Sequence, residues 1–160
     1  MSAILFHGHV ALALVTRGDD FLTRGDVALA RSYYLRALRF DPNLEAAADR
    51  FVFFGIQLRT RESLIESARL GTSFLTTHQD SGIILSDRAL CYQMLKRYDL
   101  AASDFALAAK RLHSPKYFTF AGWARYRMGD RRTARRFWSA ALSIDRTYSP
   151  ALGALRKTAG

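Results

Sequence analysis

Small and hydrophobic residues recur along most of the chain with the spacing of α-helices. One triple, a small, an aromatic and a small residue at positions i, i+4 and i+7, occurs three times. The copies are Ala30, Tyr34 and Ala37; Ala101, Phe105 and Ala108; and Ala134, Trp138 and Ala141. This spacing places the three side chains on one helix face, where a second helix can approach the small residues closely. The pattern therefore predicts helices that pack in pairs.

The copies of the triple have a regular period. The last two are 33 residues apart, and the first two are 71 apart, which leaves room for one further unit between them. A turn signal precedes each copy: Arg24-Gly25-Asp26, Lys96-Arg97-Tyr98-Asp99 and Gly129-Asp130. Glycine suits the left-handed end of one helix, and aspartate can cap the start of the next. Four helix pairs of about 34 residues are predicted, as in repeat proteins.

The second unit departs from this pattern, because residues 45–81 contain no such triple. Apolar spacing still predicts two helices there, with Gly55 in the first and Thr60 as the N-cap of the second, which runs from Glu62 to Leu75. Gly71 is expected to weaken that second helix by about 1 kcal/mol relative to alanine. A short helix from Ala151 to Lys157 is predicted to cover the last unit.

These motifs resemble the tetratricopeptide repeat family, whose 34-residue pattern closes with a proline. Residues 11–44 match best, through Gly18, Phe21, Gly25, Ala30, Tyr34, Ala37 and Pro42. Residues 82–115 match with Lys96 in place of the turn glycine, and residues 115–148 match through Gly122 and Gly129. The resemblance implies an all-α, right-handed solenoid in a single domain over residues 1–160. Its repeats are approximately 11–44, 45–81, 82–115 and 115–148, and residues 149–160 form a capping helix.

The resemblance also implies that the first helix of each pair lines a concave groove for a partner peptide or helix. The corresponding positions are Lys116, Thr119, Phe120, Trp123, Tyr126 and Arg127; Ile83, Ser86, Asp87, Leu90, Gln93 and Met94; and Leu12, Val15, Thr16, Asp19, Leu22 and Thr23. Aromatic residues and Met flanked by cations suit an apolar, partly acidic protein segment. We therefore expect a non-catalytic adaptor or assembly factor. The alternative is that Phe120 and Trp123 simply pack against the C-terminal helix.

The net charge of +10 lies entirely in the second half of the chain. Residues 1–80 contain nine basic and nine acidic residues, whereas residues 81–160 contain fifteen and five. Six arginines lie within twelve residues: Arg125, Arg127, Arg131, Arg132, Arg135 and Arg136. They predict either a solvated outer face or an anionic contact, with an acidic protein, a membrane complex, lipid headgroups or nucleic acid as the partner of a peripheral module. Nucleic acid is least favoured, because aromatic and basic residues are not interleaved on that face.

Candidate chemistry is sparse in this sequence. It contains no metalloprotease, hydrolase, P-loop or dinucleotide-binding motif, so we expect neither an enzyme nor a cofactor. Cys91 is alone, and His7 and His9 are two residues apart and do not share a helix face, which argues against a metal site. The apolar run from Ala3 to Val15 is too short to span a bilayer and is interpreted as a buried helix face. A cytoplasmic protein is expected, with peripheral attachment to a membrane complex as the alternative.

Overall fold

The computed structural model describes the backbone of residues 3–158 and the side chains of residues 8–158. Within this part of the chain every regular element is an α-helix. The helices are α1 (Ala3–Thr23), α2 (Val27–Phe40), α3 (Glu45–Leu58), α4 (Arg61–Leu75), α5 (Gly82–Met94), α6 (Tyr98–Arg111), α7 (Pro115–Arg127), α8 (Arg131–Ile144) and α9 (Ser149–Lys157). The predicted all-α fold of four helix pairs and a terminal helix is confirmed.

The chain divides into two compact units, Met1–His78 and Gln79–Gly160. In the first unit α1 packs against α2 and α3, and α3 also contacts α2 and α4. Its main core cluster contains Val15, Ala30, Tyr34, Ala37, Ala47 and Phe51. The first copy of the small–aromatic–small triple therefore lies in the core, as its spacing predicts.

In the second unit each helix from α5 to α9 packs against the next, and α7 also contacts α9. One cluster of buried residues contains Ala89, Ala101, Ala102, Phe105, Ala121 and Ala124. A second cluster contains Ala134, Trp138, Ala141, Ala151 and Ala154. Side chains of α7 pack against both clusters, so this helix joins the two halves of the unit's core.

Glycines in the first helix of a pair let the aromatic residue of the second helix pack against the backbone. A Cβ atom at Gly122 would meet the indole ring of Trp138, and one at Gly18 would meet the phenol ring of Tyr34. Burial of these rings is complete. In the first and last helix pairs, the predicted triple therefore forms one side of a contact, and a glycine of the preceding helix forms the other side. In the α5–α6 pair, Ala89 lies in the cluster of Phe105 instead.

The second helix pair achieves a close approach without an aromatic ring. A Cβ atom at Gly55 would meet the Ser67 side chain and the Ser63 carbonyl oxygen of α4. The Ser67 hydroxyl in turn donates a hydrogen bond to the Phe51 carbonyl oxygen at 3.4 Å. Small hydroxyl residues therefore replace the aromatic filler here, which explains why residues 45–81 contain no triple.

Three of the four helix pairs have the predicted cap in the turn that joins their two helices. Asp26 accepts a hydrogen bond from the Leu29 amide at 3.1 Å, and Asp130 accepts one from the Thr133 amide at 3.0 Å. Thr60 caps α4 as expected. Each bond satisfies an amide that has no acceptor within its own helix.

The turn between α5 and α6 has neither the left-handed glycine nor the aspartate cap of the α1–α2 and α7–α8 turns. Lys96 adopts the left-handed conformation (φ 60°) that Gly25 and Gly129 adopt in the equivalent turns. Arg97 is the N-cap residue and makes no side-chain cap bond. The expectation that Asp99 caps this helix is wrong, because α6 already begins at Tyr98 and Asp99 is its second residue.

The N-terminal apolar run is helical, but its burial is uneven. Ala11 and Val15 are buried, whereas Leu12 is 51% exposed. The predictions for Ala3 to His7 concern side chains outside those that the structure describes. Gly71 lies inside α4 and is buried.

Candidate partner-binding site

The sequence-predicted binding residues of the second unit lie on α5 and α7, and we call them the aromatic surface. They are Leu90, Gln93 and Met94 on α5, and Lys116, Phe120, Trp123, Tyr126 and Arg127 on α7. Gln93, Met94, Lys116 and Arg127 are exposed, and the other four are partly buried. Their role in binding stays a prediction.

The Phe120 ring packs against two other aromatic rings. Its ring centroid lies 5.4 Å from that of Phe105 and 6.2 Å from that of Tyr117, with edge-to-face geometry in both cases. The Lys116 ammonium lies 5.8 Å from the Phe120 centroid and 5.2 Å from that of Tyr117. Leu90 of α5 packs against the same cluster. This part of the aromatic surface therefore combines fixed rings with a cation at cation–π distance.

Trp123 and Tyr126 belong to the last cluster. Their ring centroids lie 5.0 and 6.0 Å from the Trp138 ring, and 5.6 Å from each other. That cluster includes Ala151 and Ala154 of α9. Trp123 therefore packs against a cluster to which α9 contributes, whereas Phe120 packs against Phe105 of α6. Both rings remain partly exposed.

Three residues expected to face the groove are buried. Ser86 and Thr119 are each 2% exposed, and their hydroxyls donate to the Ile83 and Pro115 carbonyl oxygens of their own helices. Val15 is 5% exposed and belongs to the core of the first unit. The expectation that these three side chains are available to a partner is wrong, because each is covered by neighbouring helices.

Asp19, another predicted groove position, lies in a hydrogen-bonded cluster. Its Oδ1 atom accepts from the Tyr34 hydroxyl at 2.8 Å and from Arg50 Nε at 3.0 Å. Burial raises the pKa of Tyr34 above its ordinary value, and the bond to Asp19 raises it further, so the phenol stays protonated. Asp19 therefore joins α1, α2 and α3 and has a structural role.

An ion pair that no sequence pattern indicates connects α5 with α6. Arg88 Nε and Nη2 donate to the two carboxylate oxygens of Asp104 at 2.7 and 2.8 Å. The side chains are only 16% and 8% exposed. Burial opposes the charged guanidinium, but the hydrogen bonds and charge of Asp104 outweigh it and raise the pKa of Arg88. The two residues are 16 apart in sequence, and no motif links them.

The cysteine and the potential metal ligands of the described residues do not form a shared site. Cys91 is fully buried, and this burial, with the charge of Asp87, raises the pKa of its thiol to about 12. No three His, Cys, Asp or Glu side chains in that part of the chain are placed to share a metal ion. Nor does any helix over residues 3–158 have the length and hydropathy needed to cross a bilayer.

A cavity of about 320 Å³ lies in the first unit between α2 and α4. It is lined by Leu38, Pro42, Asn43, Leu70, Ser73, Phe74, Thr76 and Thr77. Leu70, Ser73 and Phe74 of this lining belong to α4, so the cavity lies beside the second helix pair.

The predicted arginine cluster separates into two parts. Arg131, Arg132, Arg135 and Arg136 are all exposed on α8, and we call these four the arginine face. Arg125 belongs to α7 and is partly buried, and its Nε atom has no hydrogen-bond partner among the described residues. Arg127 is exposed at the end of α7. The arginine face and the aromatic surface are therefore on different helices of the second unit.

Comparison with known proteins gives similarity at the level of structure only. No family model matches the sequence, and no curated protein matches it. MamA residues 41 to the end, from Desulfovibrio magneticus RS-1, superposes with a TM-score of 0.71 at 15% identity, over 87% of this chain and 77% of that one. A tetratricopeptide repeat protein from Parabacteroides merdae has a TM-score of 0.72 at 20% identity, over 89% and 56%.

PilF of Pseudomonas aeruginosa is also similar, with a TM-score of 0.72 at 18% identity, over 94% of this chain and 70% of that one. The repeat pattern of the sequence and the helix pairs of the structure agree with these solved folds. The chain therefore has the fold of the tetratricopeptide repeat family, as its motifs indicate.

Proposed function

We propose that this protein is a non-catalytic adaptor or assembly factor that holds a segment of another protein on the aromatic surface. The similarity to tetratricopeptide repeat structures supports a general adaptor role. The observation that carries the proposal is that the rings of α7 pack against buried aromatic rings of neighbouring helices and yet remain partly exposed to solvent. Phe120 packs on Phe105, and Trp123 packs on Trp138.

The chemistry of this surface defines the kind of partner. Rigid aromatic rings lose little conformational entropy on binding, and such residues dominate binding energy at protein interfaces. Met94 is 37% exposed and adds an adaptable apolar side chain. Lys116 and Arg127 flank the rings as exposed cations. An apolar segment with acidic residues at its edges fits this combination.

A partner recovered from native lysate by pull-down and mass spectrometry, then purified, provides the test. We expect Phe120→Ala combined with Met94→Ala to weaken its binding by roughly 30-fold or more, because aromatic anchors contribute about 2 kcal/mol each. Leu107→Ala, which removes a 46% exposed apolar side chain on α6, is the matched control and should have little effect. Thermal unfolding of both variants checks that the fold is intact.

Two further measurements separate this mode from charge-driven binding. Binding should survive 0.5 M salt in large part, since exposed charges are screened beyond roughly 3–10 Å at such ionic strength. Trp123 is partly exposed and Trp138 is buried, so a bound partner should reduce acrylamide quenching of Trp123 fluorescence. Unchanged quenching, together with full binding by the double variant, would contradict the proposal.

A further inference from the structure

The exposed side of α8 carries only basic and small polar residues. Its exposed positions are Arg131, Arg132, Arg135, Arg136, Ser139 and Ser143, and the opposite side is buried through Ala134, Trp138 and Ala141. The helix contains no acidic residue. This side of the helix is therefore a strongly positive surface without an apolar component.

Little negative charge lies near this face to offset it. Residues 115–160 contain ten lysines and arginines but only two carboxylates, Asp130 and Asp145. Both accept hydrogen bonds from nearby backbone amides, Asp130 from Thr133 at 3.0 Å and Asp145 from Thr147 at 2.9 Å. Arg135 Nη1 lies 3.5 Å from the Thr158 carbonyl oxygen, a weak contact. No ion pair in residues 8–158 involves an arginine of α8.

Other helices of the fold show that arginine is not required at these positions. When the three triples are aligned in sequence, Arg131 and Arg132 correspond to Val27 and Ala28 of α2. In α6 the corresponding residues are Tyr98 and Asp99. Arg131 and Arg132 begin α8, where the positive end of the helix dipole disfavours cations. The pairs Arg131–Arg135 and Arg132–Arg136 are also like charges at i,i+4. The cluster therefore opposes folding, and an anionic partner would relieve this repulsion.

We propose that the arginine face binds an acidic α-helical segment of a partner protein. Guanidinium groups form planar, bidentate bonds with carboxylates, and the two i,i+4 rows match glutamates at i and i+4 on a facing helix. Ser139 and Ser143 continue the same face and leave room for a helix to lie close. The exposed positions include no aromatic ring for base stacking and no large apolar residue for insertion into lipid.

The test uses two peptides of equal composition, an Ala-Glu helix with glutamates at i and i+4 and one with the same glutamates distributed around the helix. The variants replace the four arginines of the face with Gln or with Lys. The control replaces four exposed arginines of the first unit, Arg17, Arg39, Arg61 and Arg69, with Gln. It removes the same charge from a different surface.

We expect the i,i+4 peptide to bind the wild type about tenfold more tightly than the distributed peptide, since only the former presents carboxylates in matching rows. The Gln variant should lose this binding, and the Lys variant should lose most of it, because Lys keeps the charge but not the bidentate geometry. The control should change it less than about twofold. Equal binding of the two peptides, or full retention by the Lys variant, would overturn the proposal.

Phosphatidylserine vesicles and a 20-nucleotide single-stranded DNA distinguish the other anionic partners. Either should bind the wild type and the Lys variant equally, since both are attracted mainly by charge. If the Gln variant loses more affinity for vesicles or DNA than for the peptide, the face serves a membrane or nucleic acid instead and the proposal fails. The Phe120→Ala and Met94→Ala variant should bind the peptide normally, which keeps this result separate from the proposed function.

Discussion

The first and last helix pairs have the same internal packing, but the exposed faces of their second helices differ in charge. In both, a glycine of the first helix lies under the aromatic ring of the second, Gly18 under Tyr34 and Gly122 under Trp138. The polar atom of each ring is satisfied differently. Tyr34 donates to the Asp19 side chain, and Trp138 Nε1 donates to the Thr119 carbonyl oxygen at 3.3 Å. The two pairs therefore share the contact between glycine and ring, but the hydrogen-bond acceptor of the ring differs between them.

The outer faces differ because core packing does not restrict them. On α2, Arg31 forms an ion pair with Glu66 of α4 within the first unit. On α8, the corresponding residue Arg135 belongs to a cluster of four arginines, none of which forms an ion pair among the described residues. The comparison indicates that the repeat determines the inner face, and that the outer face is available for a function particular to each pair.

The largest expected effect is on the shared packing. Trp138→Ala should cost about 3–5 kcal/mol of unfolding free energy, because it empties a fully buried site between α7 and α8. Denaturant unfolding followed by amide exchange should show α5 to α9 loosening together, since neighbouring repeats stabilise one another. Phe53→Ala, at a 41% exposed ring, is the control and should cost well under 1 kcal/mol. A similar loss in both variants would show that the triple is not a core motif.

The next effect concerns the α5–α6 pair, which adds an ion pair to the same packing. Asp104→Ala should cost about 3 kcal/mol, because it leaves the Arg88 guanidinium partly buried without its carboxylate. The exposed pair Arg31–Glu66 provides the matched comparison, and Glu66→Gln should cost less than about 1 kcal/mol. Thermal and urea unfolding of both variants measures the difference. Equal losses would mean that burial does not distinguish the two pairs.

The sequence allowed prediction of the helix pairs because their packing depends on local spacing. The triple spans two helical turns, and the turn glycines and the Thr60 cap are single positions at helix ends. Each of these features can therefore be recognised from a short stretch of one sequence. The Arg88–Asp104 pair and the burial of Ser86 and Thr119 depend on how neighbouring helices rotate against each other. In the second pair Ser67 lies at Gly55 where the other pairs have an aromatic ring, and no pattern of apolar residues marks this contact.

A smaller effect is expected at the turn between α5 and α6, which has Lys96 and Arg97 where the α1–α2 and α7–α8 turns have glycine and aspartate. Lys96→Gly with Arg97→Asp should raise stability by about 1–2 kcal/mol. It removes the cost of a left-handed lysine and adds the cap that Asp26 and Asp130 supply elsewhere. Gly129→Ala is the reverse change at φ 83° and should destabilise by about 1 kcal/mol. If the double variant is no more stable than wild type, the turns are not equivalent.

The smallest effect is a titration at the start of α8, where the cap and the arginine face meet. The hydrogen bonds that Asp130 accepts from Thr133 lower the pKa of its carboxyl, and the charges of Arg125 and Arg132 lower it further. Because the folded pKa lies below the unfolded one, the stabilisation is present at neutral pH and is lost as the pH falls through the lowered value. Carboxyl NMR should therefore show Thr133→Val raising the pKa of Asp130 more than Arg132→Gln does. The opposite order would mean that the arginines, not the cap, set the charge state at this end of the helix.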